Sequence, residues 1–263
     1  MIRRIEGVPS IRRLPVNTVG RDFFVTDVHG CFGVLQMALD RAGFDETKDR
    51  LIIGGDLVDR GPQNHLAVEW LKKPWVHSVR GNHDQMLLDA AANGSDYDHE
   101  NNGGEWYAAM MKENPDLAEE FNQVFSGLPI ALEIEARDGR TFGVVHAECP
   151  TFDWGTFAGD LASTDNPVRY NQVVTAAIWM RSRISDEDVT PVTGIDLIFV
   201  GHTPVNKPIQ LGNTIYLDTG AVFKGGHISV MQMDTQQIWT ATREQHRAEM
   251  WEKRFRSSPG HEI

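Results

Sequence analysis

The residues able to do chemistry gather in short polar blocks, each just after an apolar run. The central block is Gly54-Gly55-Asp56-Leu57-Val58-Asp59-Arg60-Gly61, preceded by Leu51-Ile52-Ile53 and closed by Gly61-Pro62. Two carboxylates and a guanidinium on one short loop can hold a cation and an anionic ligand together. Other blocks bring Asp27 and His29, Asn82 and His83, His146, and His202. Asp27, His29, Asp56, Asn82, His146 and His202 offer oxygen and imidazole donors, with no thiolate among them. Such a set suits Mn²⁺, Fe, Zn²⁺ or Mg²⁺ rather than a cysteine-rich structural zinc site. It also holds more ligands than one ion needs. The economical division is two ions sharing Asp56. Asp27 and His29 complete one; Asn82, His146 and His202 complete the other. Two ions roughly 3.5–4 Å apart serve in-line displacement at phosphorus.

Charge assigns the remaining roles. A water held between two dications loses its proton near neutral pH, so no separate base is required. Arg60 follows Asp59 directly and Arg80 stands just before Gly81-Asn82, both placed to grip phosphoryl oxygens bidentately. The leaving alkoxide needs a proton. His83 adjoins the ligand Asn82 and has no metal role in this scheme, which makes it the candidate general acid. Asp59 is the acid to hydrogen-bond its ring, fix the tautomer and keep it protonated.

The elements that must position these groups read as strand–loop–helix units. Arg21 to Thr26 is a strand running into Asp27-Val28-His29-Gly30, and a helix follows from Cys31 to Ala42, stopped by Gly43. Leu51 to Gly54 is the strand that delivers the central loop. Asn64 to Leu71 reads as a helix and Trp75 to Val79 as a third strand, which ends in Arg80-Gly81-Asn82-His83-Asp84 before another helix. This alternation implies an α/β sheet with the three loops side by side, at the strand ends where open α/β sheets place ligands. Residues 93–125 read as a helical insertion near the mouth of the site, carrying Trp106, Tyr107 and Phe121.

The second half is richer in strands. Ile130 to Ala136 and Thr141 to Val145 form a hairpin turned by Arg137-Asp138-Gly139-Arg140. Residues 150–170 read as a mobile surface loop, and Val173 to Met180 as a helix. Asp196 to Val200 and Thr214 to Leu217 are strands; His227 to Met233 and Gln236 to Thr242 form a closing hairpin. The whole chain, 1–263, reads as one domain, with a peripheral, loose or edge-forming lead-in at 1–20 and a charged tail at 243–263 that bears Trp251 and Phe255 at helix spacing and either docks or frays.

Bulk properties narrow the function class. With 263 residues, 41% hydrophobic and 24% charged, the chain fits a soluble globular protein. No apolar run is long enough to span a bilayer, and the first residues lack a secretory signal. Two cysteines, Cys31 and Cys149, make no disulfide framework; they read as buried thiols in a reduced cytoplasmic setting. A net charge of −12 without a basic stripe excludes a nucleic-acid partner. The same charge repels free phosphate at long range, so dications and arginines must reverse the sign locally. No Gly-x-Ser-x-Gly elbow and no Walker loop occur, which leaves serine-nucleophile and nucleotide-motor readings unsupported. Oligomeric state is not encoded in any of these features.

Asp27-Val28-His29-Gly30, Gly55-Asp56-Leu57-Val58-Asp59-Arg60-Gly61 and Arg80-Gly81-Asn82-His83-Asp84 resemble the three signature blocks of the PPP phosphoesterases. His146 and Gly201-His202-Thr203-Pro204 resemble that family's later histidine ligands. The likeness spans roughly residues 20–235 and is nearest the small bacterial and phage protein serine/threonine phosphatases, whose pattern Asn102-Gly103-Gly104-Glu105-Trp106, Ile178-Trp179-Met180-Arg181 and Leu217-Asp218-Thr219-Gly220 also resemble. The resemblance implies a central β-sandwich of mixed sheets flanked by helices, and it makes Arg181 a third phosphate-gripping residue. Thr26 stands where the family usually has glycine, and Asp84 where glutamate is commoner.

Together these features imply a Mn²⁺-favouring protein serine/threonine phosphatase that hydrolyses phosphomonoesters by direct water attack. The first rival is a diadenosine polyphosphate hydrolase, a sister group that usually carries alanine at the position of Asp59. The second is an inactive phosphopeptide reader, which would be expected to have lost His83 or a ligand. His65, His77, His99, His227, His246 and His261 read as surface or packing residues, and Trp106, Tyr107, Trp154 and Phe157 as packing.

Overall fold

Phe23, Phe24 and Val25 are all fully buried, and alternate side chains of this run enter different cores. Phe23 and Val25 join the cluster under the helices, whereas Phe24 joins the one between the sheets. A strand covered on both faces reads as a continuous apolar run instead of an alternating one. Leu51-Ile52-Ile53 behaves in the same way, in register with it through Phe23–Leu51, Phe24–Ile52 and Val25–Ile53. A computed structural model describes residues 2, 4–94 and 97–256. The expectations for the Phe255 side chain and for His261 fall outside what is described.

Two sheets face each other. The first half contributes β1 (Ile11–Leu14), β2 (Asp22–Val25), β3 (Arg50–Ile53) and β4 (Val76–Ser78). Between and after these come α1 (Phe32–Arg41), α2 (Ala67–Leu71), α3 (Asn82–Asn93), the single turn α4 (Tyr97–His99), α5 (Glu105–Glu113) and α6 (Pro115–Ser126). The second half supplies β5 (Ala131–Glu135), β6 (Thr141–Val145), α7 (Trp154–Ala162), α8 (Pro167–Trp179), α9 (Ser182–Ser185), β7 (Leu197–Val200), β8 (Ile209–Leu211), β9 (Thr214–Tyr216), β10 (Ile228–Gln232), β11 (Ile238–Ala241) and α10 (Arg243–Arg256). One sheet has the order β1-β5-β6-β7-β9-β8, the other β11-β10-β2-β3-β4. Both mix parallel and antiparallel pairs, as the expected sandwich requires. Among the described residues, no helix is long and apolar enough to cross a membrane.

Three apolar clusters hold the layers. The inner one joins Phe24, Ile52 and Met231 of one sheet to Ile134, Phe142 and Phe199 of the other. A second lies under α1, α3, α5 and α6, with Leu35, Leu87, Tyr107, Phe121 and Phe125. A third packs α7 and α8 on the opposite face through Trp154, Phe157, Val174 and Ile178. Asn114 and Asn166 cap α6 and α8 by accepting the N–H of Leu117 and Arg169, each with proline at the next position.

One expectation about the fold needs correction. Residues 150–170 are not a mobile loop: they form α7 and the first turn of α8. Trp154, Phe157 and Leu161 recur at helix spacing and are buried, and the Asp153 side chain caps the start by accepting the Thr156 N–H at 2.7 Å. Of the two alternatives for residues 1–20, the edge-forming one is found: β1 pairs in parallel with β5 at the sheet edge. The tail from Arg243 to Arg256 is helical, as its spacing suggests, and it docks: His246 presses its ring against Gly33 at the start of α1.

Candidate active site

Six loops converge because six strands end at the same edge. β2, β3 and β4 run parallel and end before Asp27, Asp56 and Asn82. In the other sheet β6, β7 and β9 run parallel and end before His146, His202 and Asp218. Backbone bonds lace neighbouring loops together within each sheet: Asp27 N to Gly55 O at 3.2 Å, His29 N to Asp56 O at 2.9 Å, and Gly201 N to His146 O at 2.8 Å. The convergence bends the backbone. Eight described non-glycine residues have positive φ, and six of them are Asp27, His29, Asp56, Asp59, Arg60 and His202. Such conformations cost energy and persist where the surroundings force them, typically at functional sites.

Asp56 occupies the middle. Its Oδ2 lies 3.6 Å from His29 Nε2 and its Oδ1 lies 3.4 Å from His146 Nε2. One carboxylate therefore faces two separate histidine groups, as a shared ligand must. Gly81 approaches so closely that a Cβ there would lie 2.1 Å from Asp56 Oδ1; no larger residue leaves that oxygen in place. Asn82 Oδ1 comes within 2.9 Å of His146 Nε2. Asp27 Oδ2 is occupied by the Thr26 hydroxyl at 2.5 Å and the His202 N–H at 2.9 Å. The threonine that departs from the family's usual glycine is thus an orienting donor for Asp27.

The histidines are anchored by their other nitrogens. His29 Nδ1 donates to Val58 O at 2.8 Å, His146 Nδ1 to Gly54 O at 2.7 Å, and His202 Nε2 to Trp179 O at 3.1 Å. A carbonyl can only accept, so each bond fixes a hydrogen on one ring nitrogen and turns the other toward the cluster. This is the outer-shell arrangement typical of metal-ligating histidine. Burial pushes His29 down to about 4 and His202 to about 3, keeping both neutral. Burial opposes charge at His146 too, but Asp56 and Asp27 outweigh it and lift the imidazole to about 10. A positive charge is thus what the surrounding carboxylates favour at that point. Burial also works against the Asp56 carboxylate, yet His146, His83 and His29 hold it well below the usual range. Two groups of donors lie close enough together to hold an ion, His29–Asp56–His83 and Asp56–His146–His202. Nitrogen and oxygen donors, anchored and sharing one carboxylate, fit divalent metal ions.

His83 and Asp59 form a separate buried pair. His83 Nδ1 is 2.7 Å from Asp59 Oδ2, which leaves Nε2 as the ring nitrogen for other work. Burial raises the Asp59 carboxyl, but hydrogen bonds from His83 and His99 outweigh it and hold the group below its ordinary range. His99 is therefore not a surface or packing residue. It is buried, with Nε2 3.0 Å from Asp59 Oδ1, and the Trp106 indole N–H donates to the same oxygen at 2.7 Å.

The arginines divide. Arg60 is exposed at the cluster, with Nη1 3.2 Å from His29 Nε2. Arg181 is exposed on the other flank, donating to His202 O at 3.3 Å. Arg80 departs from expectation. It is buried, and its guanidinium donates to Gln85 Oε1, Ser126 O and Leu128 O. These Nη1 and Nη2 bonds tie α3 to the end of α6, while the buried Nε has no partner. Two further buried acids, Asp84 and Asp218, went unassigned in the sequence. Burial and Asp56 lift Asp84 to about 6; burial and Asp27 lift Asp218 well above the usual range.

Comparison with known proteins gives the same picture. The calcineurin-like phosphoesterase family matches residues 23–206. The chain is 34% identical over 211 residues to serine/threonine-protein phosphatase 1 of Salmonella typhimurium, covering 80% of this chain and 90% of that one. It is 36% identical to the symmetrical bis(5'-nucleosyl)-tetraphosphatase of Buchnera aphidicola over 102 residues, 38% of this chain and 35% of that one. In structure it is similar to a cold-active protein-tyrosine phosphatase of a Shewanella species, with a TM-score of 0.57 over 89% of this chain and 83% of that one; identity there is 16%, which speaks for the fold alone. With the family match spanning the loops from Asp27 to His202, the chain belongs to the calcineurin-like phosphoesterases and is a PPP-type phosphoesterase.

Proposed function

We propose that the chain is a protein serine/threonine phosphatase: one domain over 1–263, working in the cytoplasm with two divalent ions, Mn²⁺ foremost. The observation that carries this reading is the buried Asp59–His83 pair at 2.7 Å beside the shared ligand Asp56. A phosphoserine or phosphothreonine leaves as an alkoxide, a poor leaving group that needs a proton. His83, oriented by Asp59, has Nε2 available to give one.

The residues divide the work. Asp27, His29 and Asp56 would hold one ion; Asp56, Asn82, His146 and His202 would hold the other. Such ions supply charge neutralisation and a water made acidic enough to attack near neutral pH. Arg60 and Arg181, on opposite flanks of the cluster, bind the phosphoryl oxygens and orient the group for in-line attack. As the water oxygen bonds to phosphorus, the bond to the ester oxygen breaks, and that oxygen takes the proton from His83 Nε2. Asp59 keeps the ring from turning.

The similarity to serine/threonine-protein phosphatase 1 along most of both chains supports the protein-phosphatase reading. The likeness to the Buchnera aphidicola tetraphosphatase covers a minority of each chain; a tetraphosphatase likeness that runs along most of both chains is lower, 25% identical against 34% for the protein phosphatase, and that group usually carries alanine where Asp59 stands. A substrate panel at fixed Mn²⁺ tests the choice. Phosphoserine and phosphothreonine peptides should turn over faster than diadenosine tetraphosphate; the reverse order would transfer the chain to the nucleotide hydrolases.

A further inference from the structure

We propose that His99, together with the Trp106 indole, is a positioning residue for proton donation by His83, acting through Asp59. The proposal rests on His83 being the general acid, as argued above, and adds the part that aims it.

Asp59 is fully buried and its two oxygens are divided between two sides. Oδ2 meets His83; Oδ1 meets His99 Nε2 at 3.0 Å and Trp106 Nε1 at 2.7 Å. An indole N–H can only donate, so Oδ1 is an acceptor there. A carboxylate held through one oxygen alone can swing about its Cβ–Cγ bond. Two donors on Oδ1 remove that freedom and leave Oδ2 aimed at the His83 ring.

Both donors come from the helical insertion, and the insertion is shaped to deliver them. His99 ends α4, Trp106 lies in the first turn of α5, and the stretch Glu100–Gly104 joins them through Gly103 at φ 99°. Gly103 O accepts the Arg60 N–H at 3.3 Å, which ties the joint to the Asp59 loop. A Cβ at Gly104 would lie 2.2 Å from His99 Cδ2 and 2.3 Å from Nε2. Glycine at 104 is thus what lets the imidazole reach Asp59. A histidine that merely filled space would need neither the directed bond nor this clearance.

Leaving-group dependence separates aiming from general support. The dinitrophenolate of dinitrophenyl phosphate leaves without a proton; the serine oxygen of a phosphoserine peptide does not. His99→Leu should lose roughly 10- to 100-fold in kcat on the peptide, the usual range for an outer-shell partner, and stay near wild type on dinitrophenyl phosphate. His99→Gln, which restores a donor N–H, should recover most of the loss. Trp106→Phe keeps the packing and removes only the indole donor, and serves if His99→Leu does not fold; the same selective loss is expected. Equal losses on both substrates would overturn the proposal, because they mark a structural role. His83→Asn is the reference: if it shows the selective loss and His99→Leu and Trp106→Phe do not, this proposal fails alone. If His83→Asn shows none, the general-acid reading fails and takes this one with it.

Discussion

Asp84 Oδ2 accepts the backbone N–H of Asp56 at 2.9 Å. The same oxygen takes the Gly81 N–H at 2.8 Å, and Oδ1 takes that of Leu57 at 3.1 Å. One fully buried carboxylate therefore staples the loop carrying Asp56 to the loop carrying Asn82 and His83. Asp84→Ala strands three buried donors. It should cost about 3 kcal/mol of stability and weaken Mn²⁺ binding roughly 10- to 100-fold. Denaturant melts and calorimetric titration read the two effects. An Asp84→Ala variant with wild-type Mn²⁺ affinity would show that the staple does not set the ligands.

The shared role of Asp56 has a stoichiometric signature. Wild type should saturate at two Mn²⁺ per chain. Asp56→Asn should weaken both sites, whereas Asp27→Asn and Asn82→Ala should each weaken one. Chelation should abolish turnover, and adding Mn²⁺ back should restore it. At a hundredfold excess over Kd the ion should stabilise the fold by about 2.7 kcal/mol per site. Loss of only one ion in Asp56→Asn would refute the sharing.

The arginines separate by readout. Arg80 donates to the carbonyls of Ser126 and Leu128 and to Gln85, and is buried. Arg80→Met should lower stability by about 2–3 kcal/mol and leave the phosphopeptide KM of the folded fraction unchanged. Arg60→Ala and Arg181→Ala should do the opposite, with unchanged melts and kcat/KM lowered roughly 10- to 100-fold, the worth of a charged hydrogen bond to phosphate. A raised KM in Arg80→Met at wild-type stability would reinstate it as a phosphate ligand.

What was legible in the sequence follows from where the information sits. A polar residue at a strand's carboxyl end is announced by the apolar run before it, so the positions of Asp27, Asp56, Asn82, His146 and His202 at one edge of the fold were legible. The sandwich came from family resemblance; the periodicity of the first half alone suggests a simple α/β sheet. The rest was lost for identifiable reasons. His99 and Trp106 reach an aspartate 40 and 47 residues upstream, and no local pattern records that. Arg80 finds its carbonyl partners 46 and 48 residues downstream. The helix α7 did carry a signal in Trp154, Phe157 and Leu161 and the capping Asp153, but two glycines, Gly155 and Gly159, diluted it. The strand β8 is three residues long and half exposed, too short to stand out.

A last prediction concerns acid stability, far from the metal ligands. Asp49 is buried where β3 begins and accepts the Arg21 N–H and Nη2, both at 2.7 Å, and the Asp45 N–H at 3.0 Å. Burial raises its carboxyl, but the Arg21 bonds outweigh burial and hold it below the ordinary value. A group with a depressed folded pKa stabilises fully above its unfolded value, about 3.9, and loses that contribution as pH falls through the folded one. A third of the Arg21 side chain, 34%, meets solvent, which screens the pair and brings the expected cost of Asp49→Asn to about 2 kcal/mol at neutral pH. Urea midpoints of wild type and Asp49→Asn should stay a constant distance apart from about pH 7 to 5 and draw together below about pH 4. Because Arg21 and Asp49 lie at the opposite ends of β2 and β3 from the site, kcat should not change. A gap that widens as pH falls would reverse the sign and show that Asp49 is protonated in the folded protein.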